Sequence, residues 1–111
     1  MNNAVRDTLI ATARARSLIT YTDLGKVADL DVSESEKVTD LGRLLDEIAI
    51  EDVKAGRPLL AAVVVRADSQ MPSEGLFKFA RKHGLMRGND KMAFWAAELT
   101  RVYEAVASVD G

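Results

Sequence analysis

The chain has 111 residues, 48% of them apolar and 29% charged, with a formal net charge of −2; this is the size and balance of one folded domain and not of a disordered segment. It has no cysteine, which excludes disulfides, thiolate metal sites and a cysteine nucleophile. No apolar run reaches the roughly 18 residues of a membrane span, and the N-terminus lacks the basic-then-apolar layout of a signal peptide, so a single cytoplasmic domain is expected.

From Ala4 to about Ser17 a helix is expected, in which Val5, Leu9, Ile10, Ala13 and Leu18 follow helical spacing and Arg6, Asp7, Arg14 and Arg16 are left outside the stripe. The β-prone Ile19-Thr20-Tyr21 breaks that helix. Thr22 is a candidate cap for a short second helix with Leu24, Val27 and Ala28 on one face. Ser33 and Glu36 have the spacing of a capping box ahead of the longest helix, predicted from about Ser35 to Ala55. Its stripe is Val38, Leu41, Leu45 and Ile48, widened by Leu44 and Val53, and Gly56 and Pro58 close it.

Leu59 to Arg66 reads as one buried strand, because it is apolar on both faces and β-branched at its far end. Ala67 to Gln70 is turn-like, and Met71-Pro72 either begins a second strand or leads into the next helix. That helix runs from Glu74 to about His83, with Ser73 as N-cap, Leu76, Phe77 and Ala80 inward and Gly84 as its stop. Asp90 then caps a final helix with Met92, Trp95, Ala96, Leu99, Val102, Tyr103 and Val106 on one face. The expected fold is mainly α with a small β element. Its order of helix, short helix, long helix and strand is winged-helix-like, followed by two C-terminal helices. A plain helical bundle with a strand pair on its flank is the alternative.

Two local patterns carry a resemblance. Ile19-Thr20-Tyr21-Thr22-Asp23-Leu24-Gly25-Lys26-Val27-Ala28, then Leu41-Gly42-Arg43-Leu44-Leu45, then the strand through Val64-Val65 resemble the DNA-binding half of the alkyltransferase-like winged-helix proteins, over at most residues 19–76. The resemblance implies a winged helix that holds DNA. It also removes the family's chemistry, because the nucleophilic cysteine falls on Ala61, the histidine beside it on Ala62, and the base-displacing arginine on Thr39. The second pattern, Gly56-Arg57-Pro58-Leu59-Leu60, Val63-Val64-Val65 and Met71-Pro72-Ser73-Glu74-Gly75-Leu76-Phe77, is similar to one recurring in small bacterial proteins and brings no function with it.

Few residue types point to chemistry. His83, the one histidine, ends a helix, where an imidazolium suits the dipole; Asp90 and Glu74 are not at metal-ligand spacing from it. Asp40, Asp46, Glu47, Glu51 and Asp52 fall mostly opposite the apolar stripe, as a solvated face does. Arg57 has two readings, an interaction with the carbonyls ending the long helix or an anchor from the Gly-Arg-Pro corner to one of that helix's acids. Neither a phosphate loop nor a nucleophile–base pair is evident, so no catalytic residue, metal or cofactor is expected, and the chain reads as a binding domain and not an enzyme.

The best binding candidate is the basic cluster Lys78, Arg81, Lys82, Arg87 and Lys91, which suits phosphates, although a solvated helix face has the same composition. Phe94 lies about 100° around the helix from Trp95, at the edge of the apolar stripe, and is a candidate interface residue for a homodimer or a protein partner. Charge is unevenly spread: residues 1–28 carry a net +2, residues 29–52 a net −7 and residues 53–111 a net +3. A long helix this acidic would be repelled by a DNA groove. A nucleic-acid-associated domain and a protein–protein interaction module therefore both stand as expectations, with no membrane partner.

Overall fold

The computed structural model describes residues 3–28 and 35–110. Among them the order is α1 (Asn3–Arg14), β1 (Ile19–Thr20), α2 (Tyr21–Val27), α3 (Ser35–Ala55), a 3₁₀ turn (Leu60–Val63), β2 (Val64–Val65), α4 (Glu74–Lys82) and α5 (Lys91–Asp110). The protein is mostly helical with a small β element, as the pattern predicts. The capping-box serine, Ser33, lies outside the described residues.

The helix ends follow from local chemistry. Thr20, not Thr22, caps α2: its backbone is extended and its hydroxyl accepts from the Asp23 N–H at 3.2 Å. The last residue of β1 is thus also the first of the next element. Gly56 ends α3 with φ +71°. The Gly56 N–H reaches Val53 O and the Arg57 N–H reaches Asp52 O, at 3.1 and 2.8 Å, which satisfies carbonyls the helix leaves open. Gly84, at φ +72°, does the same after α4, with Gly84 N–H on Arg81 O and Leu85 N–H on Ala80 O. Just ahead of α5, Asp90 Oδ1 accepts from the Ala93 N–H at 3.0 Å, the expected cap.

Other expectations are corrected as well. Leu59 to Arg66 is not one strand: Leu60–Val63 form a 3₁₀ turn and only Val64–Val65 are extended. A continuous apolar run does not by itself distinguish a buried strand from a buried turn. What decides is a pair of carboxylates waiting at its start. Glu98 Oε2 accepts from the Leu59 N–H at 2.8 Å and Asp52 Oδ2 from the Leu60 N–H at 3.1 Å, and acceptors placed on successive N–H groups favour a helical turn over a ladder. Val64 and Val65, β-branched and past that anchor, then pair with β1. The pairing is parallel, Ile19 with Val64 and Thr20 with Val65, across a connection that contains α2 and α3. Met71-Pro72 leads into α4: the Arg66 N–H bonds Met71 O and the Gln70 N–H bonds Arg66 O, closing a turn.

A further correction concerns α5. Met92, assigned inward, is 53% exposed, whereas Glu98 is 4% exposed and sits among Trp95, Val102 and Val106. The helix is rotated so that the Glu98 carboxylate meets the Leu59 N–H and the Trp95 indole N–H meets Ala62 O at 2.8 Å. Leu18, likewise read as part of the first stripe, is exposed.

Val27 and Ala96, also read as inward, are exposed as well, and most of the other predicted core residues are buried. Val5, Leu9 and Ala13 of α1, Leu24 of α2, Leu41, Leu45 and Ile48 of α3 and Leu59 to Val65 are buried together with Leu76, Phe77 and Ala80 of α4. Each fully buried leucine contributes about 1.5–3 kcal/mol by leaving water. The 3₁₀ turn is central to this packing, since α1, α3 and α5 all rest on it. Tyr103 joins α5 to the α1–β1 connection through an O–H bond to Ser17 O at 3.1 Å, and Arg16 lies 5.6 Å from the centre of its ring. Burial raises the pKa of that phenol, and the Arg16 charge offsets part of the rise.

Asp52 holds this centre. It is fully buried on α3, accepts from Arg6 Nη2 at 3.2 Å and Arg57 Nε at 3.1 Å through Oδ1, and from the Leu60 N–H through Oδ2. The Gly-Arg-Pro corner is therefore anchored to an acid of the long helix, and Asp52 leaves the solvated face expected for it. Replacing it (Asp52→Ala) strands two guanidiniums and a buried N–H. The expected loss is about 3–5 kcal/mol, read from the midpoint of urea denaturation.

Candidate binding cleft

A cavity of about 600 Å³ opens between α2, α3, the 3₁₀ turn and α4. On α3 the lining residues are Gly42, Leu45, Asp46 and Ala49, spaced by three and four so that they share one helix face. Gly75, Leu76 and Phe79 line it from α4, Ala61 from the 3₁₀ turn and Tyr21 from α2. A shallower extension of about 320 Å³ continues along the α3–α4 seam past Ile50, Lys78, Lys82 and His83, sharing Asp46, Gly75 and Phe79 with the main cleft. The walls are mostly apolar, and their polar groups stand at the rim.

Several of those polar groups are already engaged. The Tyr21 hydroxyl and Ser73 Oγ lie 2.7 Å apart in a hydrogen bond. Ser73 occupies the N-cap position of α4, but its side chain makes no cap bond; it serves instead to tie α4 to the start of α2. Arg66 Nη2 bonds Asp68 Oδ2 at 2.8 Å. Asp46 is the exception. Burial raises its carboxyl pKa, and the nearby Lys82 ammonium pulls it part of the way back.

The five predicted nucleic-acid contacts do not form one uniform patch. Lys78, Arg81 and Lys82 are exposed on α4, and Arg87 is exposed in the following loop. Lys91 is set apart: its Nζ bonds Glu74 Oε1 at 2.6 Å and lies 5.5 Å from the centre of the Phe77 ring. Glu74 has its pKa lowered chiefly by that hydrogen bond, with Lys91, Lys78 and Arg81 adding favourable charge. It sits one turn before Lys78, just outside the stretch in which the basic residues cluster, so a reading of residues 78–91 alone misses it.

Phe94 is half-buried, edge-on to Phe77 with ring centres 6.4 Å apart, and so helps seat α4 on α5. His83 caps α4 and stacks on Phe79 at 4.2 Å. Among the described residues no three histidine, aspartate or glutamate side chains come together as a metal-ligand set, and no helix is long and apolar enough to cross a membrane.

Comparison of the chain with known protein families, curated proteins and solved structures gives no match.

The desolvated carboxylate makes a prediction with a definite sign. A folded-state pKa raised above the unfolded one favours the protonated form in the native protein, so the Asp46 charge costs nothing below about pH 3.8, its ordinary value, and its cost develops as pH rises through the raised value. Asp46→Asn should match the parent in melting temperature near pH 3 and exceed it modestly at pH 7. Parallel thermal melts across that range are the check, and an offset independent of pH would assign the effect to something other than this carboxyl.

Proposed function

We propose that the chain is a non-catalytic binding domain that seats a short amphipathic helix of a partner protein in the α3–α4 cleft. The observation that carries this is Gly42. A glycine inside an exposed helix is less favourable than alanine by about 0.8–1.0 kcal/mol, so a mid-helix glycine calls for a reason. Positive φ is not it, because Gly42 is absent from the positive-φ residues. Crowding is not it either, since a Cβ built there meets nothing within 4 Å. What Gly42 does is keep one wall of the cleft low, and Gly75 keeps the facing wall low on α4. Small residues on both walls let another backbone approach closely, and an apolar floor with charged rims is the arrangement that receives a helix in a groove.

Rim charge narrows the partner. Lys78 and Lys82 line the α4 side of the seam, so the docked helix carries acidic residues along that edge and apolar residues three and four apart toward Leu76 and Phe79. The binding reading is also supported by what the rim hydroxyls do: Ser73 is satisfied by Tyr21 and Arg66 by Asp68, so neither is held as part of a nucleophile–base pair.

A second reading has its own observation. Ala61, where the resembling alkyltransferase-like proteins carry their nucleophile, lines this same cleft, and Lys78, Arg81 and Lys82 stand exposed beside it. On that reading the domain is winged-helix-like and the cleft receives a base from nucleic acid, without chemistry. The acidic α3 wall opposes it, because phosphates would have to pass that surface.

One experiment separates them. A displayed library of amphipathic helical peptides is selected on the parent protein and counter-selected on Gly42→Trp, which fills the cleft at a position with room for a side chain. Enriched peptides should bind at micromolar concentration, at least tenfold more weakly to Gly42→Trp and more weakly to the Lys78→Glu, Lys82→Glu pair. Absence of enrichment, or affinity indifferent to Gly42→Trp, defeats the peptide reading. Salt-sensitive anisotropy with duplex or single-stranded DNA, lost when Lys78, Arg81 and Lys82 become Glu, would favour the second.

A further inference from the structure

Two cavities flank the segment from Leu59 to Val65, and their charges are placed differently. The second, of about 290 Å³, is lined by Arg6, Arg14, Asp52, Arg57, Leu60 and Val102 among others. Its acid and two of its arginines are matched within the protein: Arg6 pairs with Asp52 and Glu51, and Arg57 with Asp52. The cleft is the opposite case. Asp46 stands on the α3 wall and Lys82 on the α4 wall of one seam, close enough for the Lys82 charge to be felt at the Asp46 carboxyl. Yet these two close no ion pair, whereas Glu74 and Lys91, also brought together by the packing of α4, do so at 2.6 Å.

What separates them is the cleft itself. Asp46 borders both the main cavity and its extension, with Gly42 one turn before it and Ala49 one turn after, so small residues flank the carboxylate on its own helix face. From α4 the same seam is lined by Gly75 and Phe79 as well as Lys82. A helix seated on that floor would cover Asp46 and Lys82 together. Covering an ionised group removes water from it, and the loss is recovered only when the partner supplies the opposite charge. Opposite signs on the two walls therefore call for opposite signs on the two borders of the partner's apolar stripe.

Resting on the reading of the cleft as a helix-binding groove, we infer that Asp46 selects the partner: the docked helix carries a lysine or arginine on the border that meets α3, across from the acids that meet Lys78 and Lys82. A basic side chain suits this wall in a second way, because its hydrocarbon stem can lie along Leu45 and Ala49 while its charged end reaches the rim. The contribution is to specificity more than to strength, since exposed ion pairs add little affinity while a like charge in the same place is repelled. A helix acidic on both borders is turned away at α3, and one basic on both borders is turned away at α4. Turning a helix end for end exchanges its borders, so a partner of this kind lies in the cleft in one direction only.

The test uses the intact chain and three labelled helical peptides of about four turns, equal in length and apolar stripe, read by fluorescence anisotropy. One has lysines on one border and glutamates on the other, one has glutamates on both, and one has lysines on both. The mixed peptide should bind the parent at least tenfold more tightly than either uniform peptide at low salt. Asp46→Lys makes both walls basic and should therefore bind the doubly acidic peptide best, with cooperative melting confirming that it folds. Asp46→Asn, which keeps the shape, should narrow the margin between the mixed and doubly acidic peptides. If either uniform peptide binds the parent within threefold of the mixed one, or if Asp46→Lys keeps the parent's order, this inference is overturned and the cleft reading survives. If none binds the parent, or all bind Gly42→Trp as well as the parent, the cleft reading fails and this inference falls with it.

Discussion

A carboxylate removed from water must find its hydrogen bonds within the protein, and Asp52 finds them on three separate stretches of chain. Arg6 reaches it from α1, Arg57 from the corner after α3 and the Leu60 N–H from the 3₁₀ turn. Removing water from such a group costs several kcal/mol, so the fold tolerates Asp52 only with all of these partners in place together. That requirement fixes the corner, the corner fixes where the 3₁₀ turn begins, and the turn delivers Val64 and Val65 in register against Ile19 and Thr20. Glu98 does the same from α5, binding the adjacent Leu59 N–H. Two acids on different helices thus hold consecutive amides of one short segment, and Trp95 closes the arrangement on Ala62 O.

The sequence announces helices better than it announces this centre. The span of α3 is legible to the residue, Ser35 to Ala55, because Gly56 and Pro58 mark its end as clearly as its apolar stripe marks its body. The segment Leu59 to Val65 is illegible as a turn, because seven apolar residues in a row contain no periodicity from which to choose. Its conformation is decided by side chains eight and thirty-nine positions away, Asp52 on the Leu60 N–H and Glu98 on the Leu59 N–H. A signal for those acids is nevertheless present. Asp52 continues the stripe of Leu41, Leu45 and Ile48 by one more step of four, and Glu98 falls between Trp95 and Val102 on theirs. An acid in phase with an apolar stripe is better read as a buried acceptor than as part of the solvated face that composition assigns it.

Charge patterning is informative in the same partial way. The acidic stretch and the basic stretch are plain in the sequence, but their meeting is not. Packing brings Asp46 of α3 and Lys82 of α4 to the same seam, and brings Glu74 and Lys91 into contact across the loop between α4 and α5. The surface that results is mixed in sign over short distances, with Lys91 withdrawn from the basic cluster. Mixed rims around an apolar floor discriminate among partners through both attraction and repulsion, whereas a polyanion is held by an extended field of one sign. This is the physical ground on which the cleft is read as a protein-binding surface before a nucleic-acid one.

The two cavities meet at the segment that Asp52 organises. Leu60 lines the arginine-bearing pocket and the next residue, Ala61, lines the cleft; on α3, Ala49 lines the cleft and Asp52, about one turn later, lines the pocket. A change at Arg6 or Arg57 that loosens Asp52 would therefore alter the acceptor that holds the Leu60 N–H, and through it the turn whose next residue, Ala61, lines the cleft.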